Sequence, residues 1–184
     1  MYLKWYKLVL PLSLIFVLIN LEIVGGEDPV VFGLRVGLSP DEDRGFEQYE
    51  AFINHDLPWG WRWPWGWTFN MRLNATTGVI RGRGNTGLIG SFGPGITSGD
   101  RISLDIGVSP AFLSEDQFRR HSLGGEFYFI SHIGTTFRLI RSLGVNYRFQ
   151  HMSNAGINRP NPGLNLHMFG LSYRFRIVSP QVCR

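Results

Sequence analysis

The chain has 184 residues, a formal net charge of +4, 17% charged residues, 23 glycines and 14% aromatic residues. Low charge with many aromatics excludes a disordered chain, and the glycine and aromatic content argues against a helical soluble domain. A single cysteine, Cys183, excludes an intrachain disulfide and a cysteine-built metal or iron–sulfur centre. The mild charge carries no Lys/Arg clusters, so nucleic acid is not an expected partner.

Lys4 and Lys7 precede an apolar run from Leu8 to Ile19, followed by Asn20, Glu22 and the small pair Gly25-Gly26. A positive start, a short apolar stretch and a small-residue end describe a secretory signal peptide. Such a run is too short to cross about 30 Å of hydrocarbon as a helix. The expected division is a signal peptide at 1–26 and one β-barrel domain at 27–184.

Period-two alternation then recurs along the chain, the mark of strands with two unlike faces. Val30, Phe32, Leu34, Val36 and Leu38 alternate with Val31, Gly33, Arg35 and Gly37. Trp67, Phe69, Met71, Leu73 and Ala75 alternate with Thr68, Asn70, Arg72 and Asn74. Ile102, Leu104, Ile106 and Val108 alternate with Arg101, Ser103, Asp105 and Gly107. Leu143, Val145, Tyr147 and Phe149 are followed by Phe169, Leu171, Tyr173 and Phe175, each set interleaved with polar residues and glycine. Weaker strands are expected at 46–54, 87–97 and 123–133, which makes eight. An even number of antiparallel strands, apolar outside and polar or glycine inside, is the pattern of an outer-membrane barrel. The fold class is therefore all-β, an eight-stranded antiparallel transmembrane β-barrel whose lumen is filled by side chains. The oligomeric state is left open, a homodimer included. Residues 176–184 run past the last strand and are assigned no role.

The tract Trp59, Trp61, Trp63, Trp65 and Trp67 suits the membrane–water interface. Pro58 and Pro64 make most of it a connection between strands two and three. Outer-membrane barrels begin and end in the periplasm, so this connection is expected there, and the connection 152–164 is expected outside. Gly82-Arg83-Gly84-Asn85-Thr86-Gly87 fits G-x-G-x-x-G, but a strand follows it where a nucleotide site needs a helix, so it reads as a glycine-rich hairpin. No histidine cluster or other metal-ligand spacing appears, and no metal or organic cofactor is implied.

One stretch stands out: His151-Met152-Ser153-Asn154-Ala155-Gly156, then Asn158-Arg159-Pro160-Asn161-Pro162-Gly163-Leu164-Asn165. His151 and Ser153 are two apart and share a face of an extended chain, the lipid-facing row of Val145, Tyr147 and Phe149. Polar groups in such a row are costly unless they work at the interface. Asn165 and His167 extend the outward row of the next strand, so hairpin pairing can bring Asn165 beside His151. A hydroxyl, an imidazole to take its proton and a group to orient the imidazole form a nucleophilic constellation. A polar loop rim is the bland alternative.

These residues resemble the outer-membrane lipid A 3-O-deacylases of the PagL type. The resemblance is strongest over 143–175 and looser at Gln48-Tyr49-Glu50, Leu57-Pro58-Trp59, Gly90-Ser91-Phe92-Gly93-Pro94-Gly95 and Ser131-His132-Ile133-Gly134. It implies an outer-membrane serine esterase that removes the acyl chain from position 3 of lipid A, with lipid A or lipopolysaccharide as substrate and the site facing the outer leaflet. By matching positions it implies Ser153 as nucleophile, His151 as general base, Asn154 as an oxyanion contributor and Asn161 as a supporting residue. Arg159, near this site, is expected either to contact a lipid A phosphate through its fork or to be an ordinary solvated loop arginine. The family carries Glu at the third position, where this chain has Asn165. Glu50 and Glu126 are the substitute carboxylates to consider, both with lumen parity. The rival expectation is a non-catalytic barrel with a structural or partner-binding role.

Overall fold

The computed structural model describes residues 29–40, 45–119 and 121–176. The expected signal peptide and the chain from 177 lie outside the described residues. Ten strands lie among them: β1 (Pro29–Leu38), β2 (Phe46–Arg62), β3 (Thr68–Gly82), β4 (Asn85–Gly99), β5 (Ile102–Leu113), β6 (Gln117–Phe118), β7 (His121–Ser122), β8 (Phe127–Arg138), β9 (Leu143–Ser153) and β10 (Leu164–Arg176). Eight of them close a barrel in the order β1-β10-β9-β8-β5-β4-β3-β2, while β6 and β7 pair only with each other. Closure joins the first and last strands antiparallel, from Pro29↔Arg176 to Leu38↔His167. No strand of the barrel is left with an open edge, which a sheet in lipid requires.

The alternation sorts the two faces as the sequence suggests. Phe32, Leu34, Val36, Leu38, Ile102, Leu104, Ile106, Phe169, Leu171 and Tyr173 are exposed outward. Arg35, Gln48, Glu50, Asn74, Asp105, Asn146 and Arg148 are buried inward. The hairpin between β3 and β4 turns on Arg83 (φ 49°) and Gly84 (φ 92°), with Gly82 opposite Asn85. Two successive positive φ values make the tight turn that matches strand twist, so the glycine-rich motif is a hairpin.

Several boundaries differ from the periodicity. β2 continues through Pro58 to Arg62, so Trp59 and Trp61 belong to a strand; only Trp63, Trp65 and Trp67 lie in the connection. A bulge between Asp56 and Gly60 absorbs the proline, after which Trp61 lies opposite Phe69. Those two rings stack at 5.5 Å. The weaker strand expected at 123–133 is displaced to Phe127–Arg138, because the chain ahead of it is taken up by the small hairpin. The β4–β5 ladder is broken between Ser91↔Ala111 and Gly95↔Gly107, the gap that holds Pro94 and Pro110. Neither proline has an N–H to donate there.

The lumen also departs from the expected polar filling. At the end carrying the 83–84 turn, it is packed by Phe46, Ile80, Ile89, Leu113, Phe118, Leu123, Tyr128, Ile130, Met152, Leu164, Leu166 and Met168. Phe118 and Leu123 come from the segment around β6 and β7, which folds into the barrel as a plug. Phe118 meets the Phe46 ring edge-on at 5.1 Å. Gln150 donates to Gln48 (3.1 Å) and Gln48 to Glu50 (2.8 Å), an amide layer beneath the apolar half. The other half is ionic. Arg35 pairs with Glu50 at 2.6 Å, Arg72 with Asp56 at 2.5 Å and His132 with Asp105 at 3.1 Å. A cavity of about 80 Å³ lies among Arg35, Asn54, Asp56, Arg72, Asp105 and Arg148.

Candidate functional site

The β9–β10 hairpin pairs His151 with Asn165, Phe149 with His167 and Tyr147 with Phe169, all on the outward face. The parity of the two strands therefore stacks a polar pair on top of an aromatic row. His151 Nδ1 and Asn165 Oδ1 are 2.7 Å apart. An amide oxygen only accepts, so Nδ1 carries the proton and Nε2 of the neutral ring keeps its lone pair. A Cβ built on Gly163 would lie 3.0 Å from His151 Cε1 and 3.6 Å from Nε2. The Cε1–Nε2 edge of the imidazole is thus turned toward the residue that closes the 154–163 loop. Ser153 ends β9 at this same end, half-buried and opposite Phe129 of β8.

Asn154 is wholly buried. Its Nδ2 donates to the carbonyls of Gly124 (2.7 Å), Asn158 (2.9 Å) and Pro160 (3.4 Å). Its Oδ1 accepts from Gly156 N (2.9 Å), and its own backbone N–H donates to Asn161 Oδ1 (3.2 Å). Both amide hydrogens are thus shared among three carbonyls, which favours a loop-holding role over an oxyanion donor. Arg159 is exposed on the loop. Glu50 is deep in the lumen on Arg35, so it is no substitute acid for His151. Glu126 lies in the bend just ahead of β8 and is half-buried.

The sequence reading placed Tyr147 and His167 in the outward rows but did not pair them. Tyr147 Oη and His167 Nδ1 are 2.7 Å apart with their rings stacked, directly below the His151–Asn165 pair. Their signal was the same two-residue spacing that singled out His151 and Ser153. Ser131 of β8 lies opposite His151 on its other flank. Among the described residues no cluster of three His, Cys, Asp or Glu could hold a metal.

A barrel with a polar dyad and a serine at one hairpin end can be compared with known proteins. The family described as Lipid A 3-O-deacylase (PagL) matches residues 47–174, both dyad residues and Ser153 included. The chain belongs to this family. It is 36% identical over 78 residues to the lipid A deacylase PagL of Bordetella bronchiseptica, a match covering 42% of this chain and only 44% of that protein. The crystal structure of the outer membrane enzyme PagL superposes with a TM-score of 0.64 at 22% identity, covering 80% of this chain and 99% of the other. A de novo designed transmembrane β-barrel gives a TM-score of 0.56 at 10% identity, covering 81% and 96%. The likeness to both structures is one of fold. Family and fold together make the chain an outer-membrane barrel.

Proposed function

We propose that the chain hydrolyses the ester holding the acyl chain at position 3 of lipid A. The observation that carries this reading is the His151–Asn165 hydrogen bond on the outward face, two residues from Ser153. Ser153 Oγ attacks the ester carbonyl carbon and gives its proton to His151 Nε2. The carbonyl–oxygen ester bond breaks, and His151 returns the proton to the sugar oxygen. Water then attacks the acyl-Ser153 ester by the reverse proton route and releases a fatty acid. General-base help of this kind contributes about 10²–10⁴ in rate. Asn165 holds the tautomer by a neutral hydrogen bond, Asn154 and Asn161 hold the loop, and Arg159 reaches a lipid A phosphate. No metal or cofactor is needed for these steps.

Both ends of the barrel chain lie at the Trp end, away from the site. By the rule for outer-membrane barrels that end is periplasmic, so Ser153 meets the outer leaflet, where lipid A resides. The test is mass spectrometry of lipid A from cells expressing the wild-type chain, Ser153→Ala or His151→Ala. Loss of one acyl mass with wild type and an unchanged spectrum with both variants supports the esterase. Full activity in Ser153→Ala would reject the mechanism. An unchanged spectrum with wild type would favour the non-catalytic reading, for which Asn165 in place of the family's Glu is the specific argument.

A further inference from the structure

We propose that Gly124 is a positioning residue for Ser153, holding the 154–163 loop against the lumen plug. This rests on the esterase reading above for its kinetic part, while its structural part stands independently. Gly124 follows Leu123, which is buried in the apolar half of the lumen beside the plug residue Phe118. Asp116 fastens the same turn: its carbonyl accepts from Leu123 N (2.9 Å), and its Oδ2 accepts from Gly125 N (2.9 Å). The Gly124 carbonyl then accepts the shortest of the three bonds from Asn154 Nδ2, at 2.7 Å. Asn154 is the residue after Ser153. An unbroken line of contact therefore runs from the lumen core through Leu123, Gly124 and Asn154 to the proposed nucleophile.

Two features make glycine the residue for this place. Its φ is +91°, a backbone state that side chains rarely adopt. A Cβ there would overlap the Pro160 carbonyl oxygen and lie 2.6 Å from Asn154 Nδ2. Both obstacles belong to the 154–163 loop, so any side chain at 124 must push that loop outward. Gly125 (φ +109°) makes a milder approach, since its Cβ would meet Asn158 Nδ2 at 2.7 Å, the movable end of a side chain. A shift of about 1 Å in a catalytic group can cost about 10² in rate.

Gly66 provides a matched control. Its φ is +88°, it lies in the turn at the opposite end, and a Cβ there would meet nothing within 4 Å. Gly124→Ala and Gly66→Ala thus carry the same backbone strain, but only the first strikes the loop. The experiment measures kcat and KM for lipid A deacylation, folding by the gel-mobility shift on heating in detergent, and proteinase K cleavage within 154–163. Gly124→Ala is expected to lower kcat about 10²-fold with KM unchanged and to open the loop to protease. Gly66→Ala is expected to keep kcat and loop protection. Gly125→Ala is expected to lose about tenfold in kcat, and it carries the test if Gly124→Ala does not fold. Wild-type kcat and an uncut loop in Gly124→Ala would overturn the proposal, as would equal kcat losses in Gly124→Ala and Gly66→Ala. A wild-type protein that deacylates nothing would sink the esterase reading alone. Cleavage confined to the Gly124→Ala loop would then still support the clamp, and its absence would overturn it.

Discussion

Above the Gln48–Gln150 amide layer the lumen is packed by apolar side chains, and below it by Arg35, Glu50, Arg72, Asp56, Asp105 and His132 in ion pairs. The two halves hold the same barrel by different physics. Apolar packing is non-directional but sensitive to volume, so one missing side chain loosens everything around it. An ion pair fixes two atoms and is sensitive to the loss of either partner. The site stands on the apolar half, because the plug and the 154–163 loop are packed there. The ionic half holds strands together far from Ser153. Damage above should therefore appear in activity, and damage below in stability.

The sharpest break in that comparison is a pair of substitutions matched in expected cost. Phe118→Ala removes a fully buried ring from the plug, and such changes cost about 3–5 kcal/mol. Glu50→Ala leaves Arg35 as a buried charge without its carboxylate, held by the Asn146 amide oxygen at 3.0 Å and the face of the Phe52 ring at 3.6 Å, again about 3–5 kcal/mol. Both should lower the temperature of the gel-mobility shift by similar amounts. Deacylation per folded barrel should fall at least about tenfold in Phe118→Ala and stay at the wild-type level in Glu50→Ala. Equal activity in the two would show that the plug does not position the loop.

The outer face was legible in the sequence and the inner one only partly. Lipid on one side of every strand forces a strict apolar row, and Leu34, Leu104, Val145 and Leu171 keep it. The same parity anticipates Asn165 beside His151, because register in a hairpin follows from which face each residue occupies. The apolar half of the lumen was hidden, since Ile80 and Ile89 each follow another apolar residue, while Met152 and Leu166 stand between polar neighbours and so put apolar side chains on the parity that is polar elsewhere. The passage of β2 through Pro58 was hidden because a bulge is a property of two strands together. The partners of Asn154 were hidden for a related reason: Gly124 is 30 residues away, and nothing local to either residue announces the contact.

An effect of middle size is expected at Asn165, where the apolar half meets the site. Asn165→Ala removes the 2.7 Å bond to His151 and should lower kcat about tenfold, equivalent to about 1.4 kcal/mol. Asn165→Glu keeps an acceptor and adds a charge that stabilises the imidazolium formed during attack. Loss of such a carboxylate costs about 10⁴ in serine proteases, so its gain should raise kcat by more than Ala lowers it. The added charge lies at the outer rim, where Asp and Glu are less costly in barrels than Arg or Lys. Single-turnover hydrolysis of lipid A by the purified variants measures both. Full activity in Asn165→Ala would remove Asn165 from the site and turn the search for an orienting group to Glu126.

The smallest effect is expected at the outer edge of the ionic half. Asp100 is bonded to Arg138 and lies 3.8 Å from Arg174, yet its side chain is 84% exposed. Water screens that charge, and surface pairs of this kind contribute about 0–1 kcal/mol. Arg174 also has Asp56 at 3.5 Å, so losing Asp100 leaves it paired. Asp100→Asn should therefore shift the heat transition far less than Glu50→Ala, with deacylation unchanged. Raising the salt concentration should shrink even that shift, because salt screens exposed charges and leaves the buried Arg35–Glu50 pair nearly untouched. The measurement is the transition temperature of wild type, Asp100→Asn and Glu50→Ala at low and high salt. A salt-independent loss in Asp100→Asn as large as that of Glu50→Ala would mean that the ionic half is held from its rim rather than from its buried pairs.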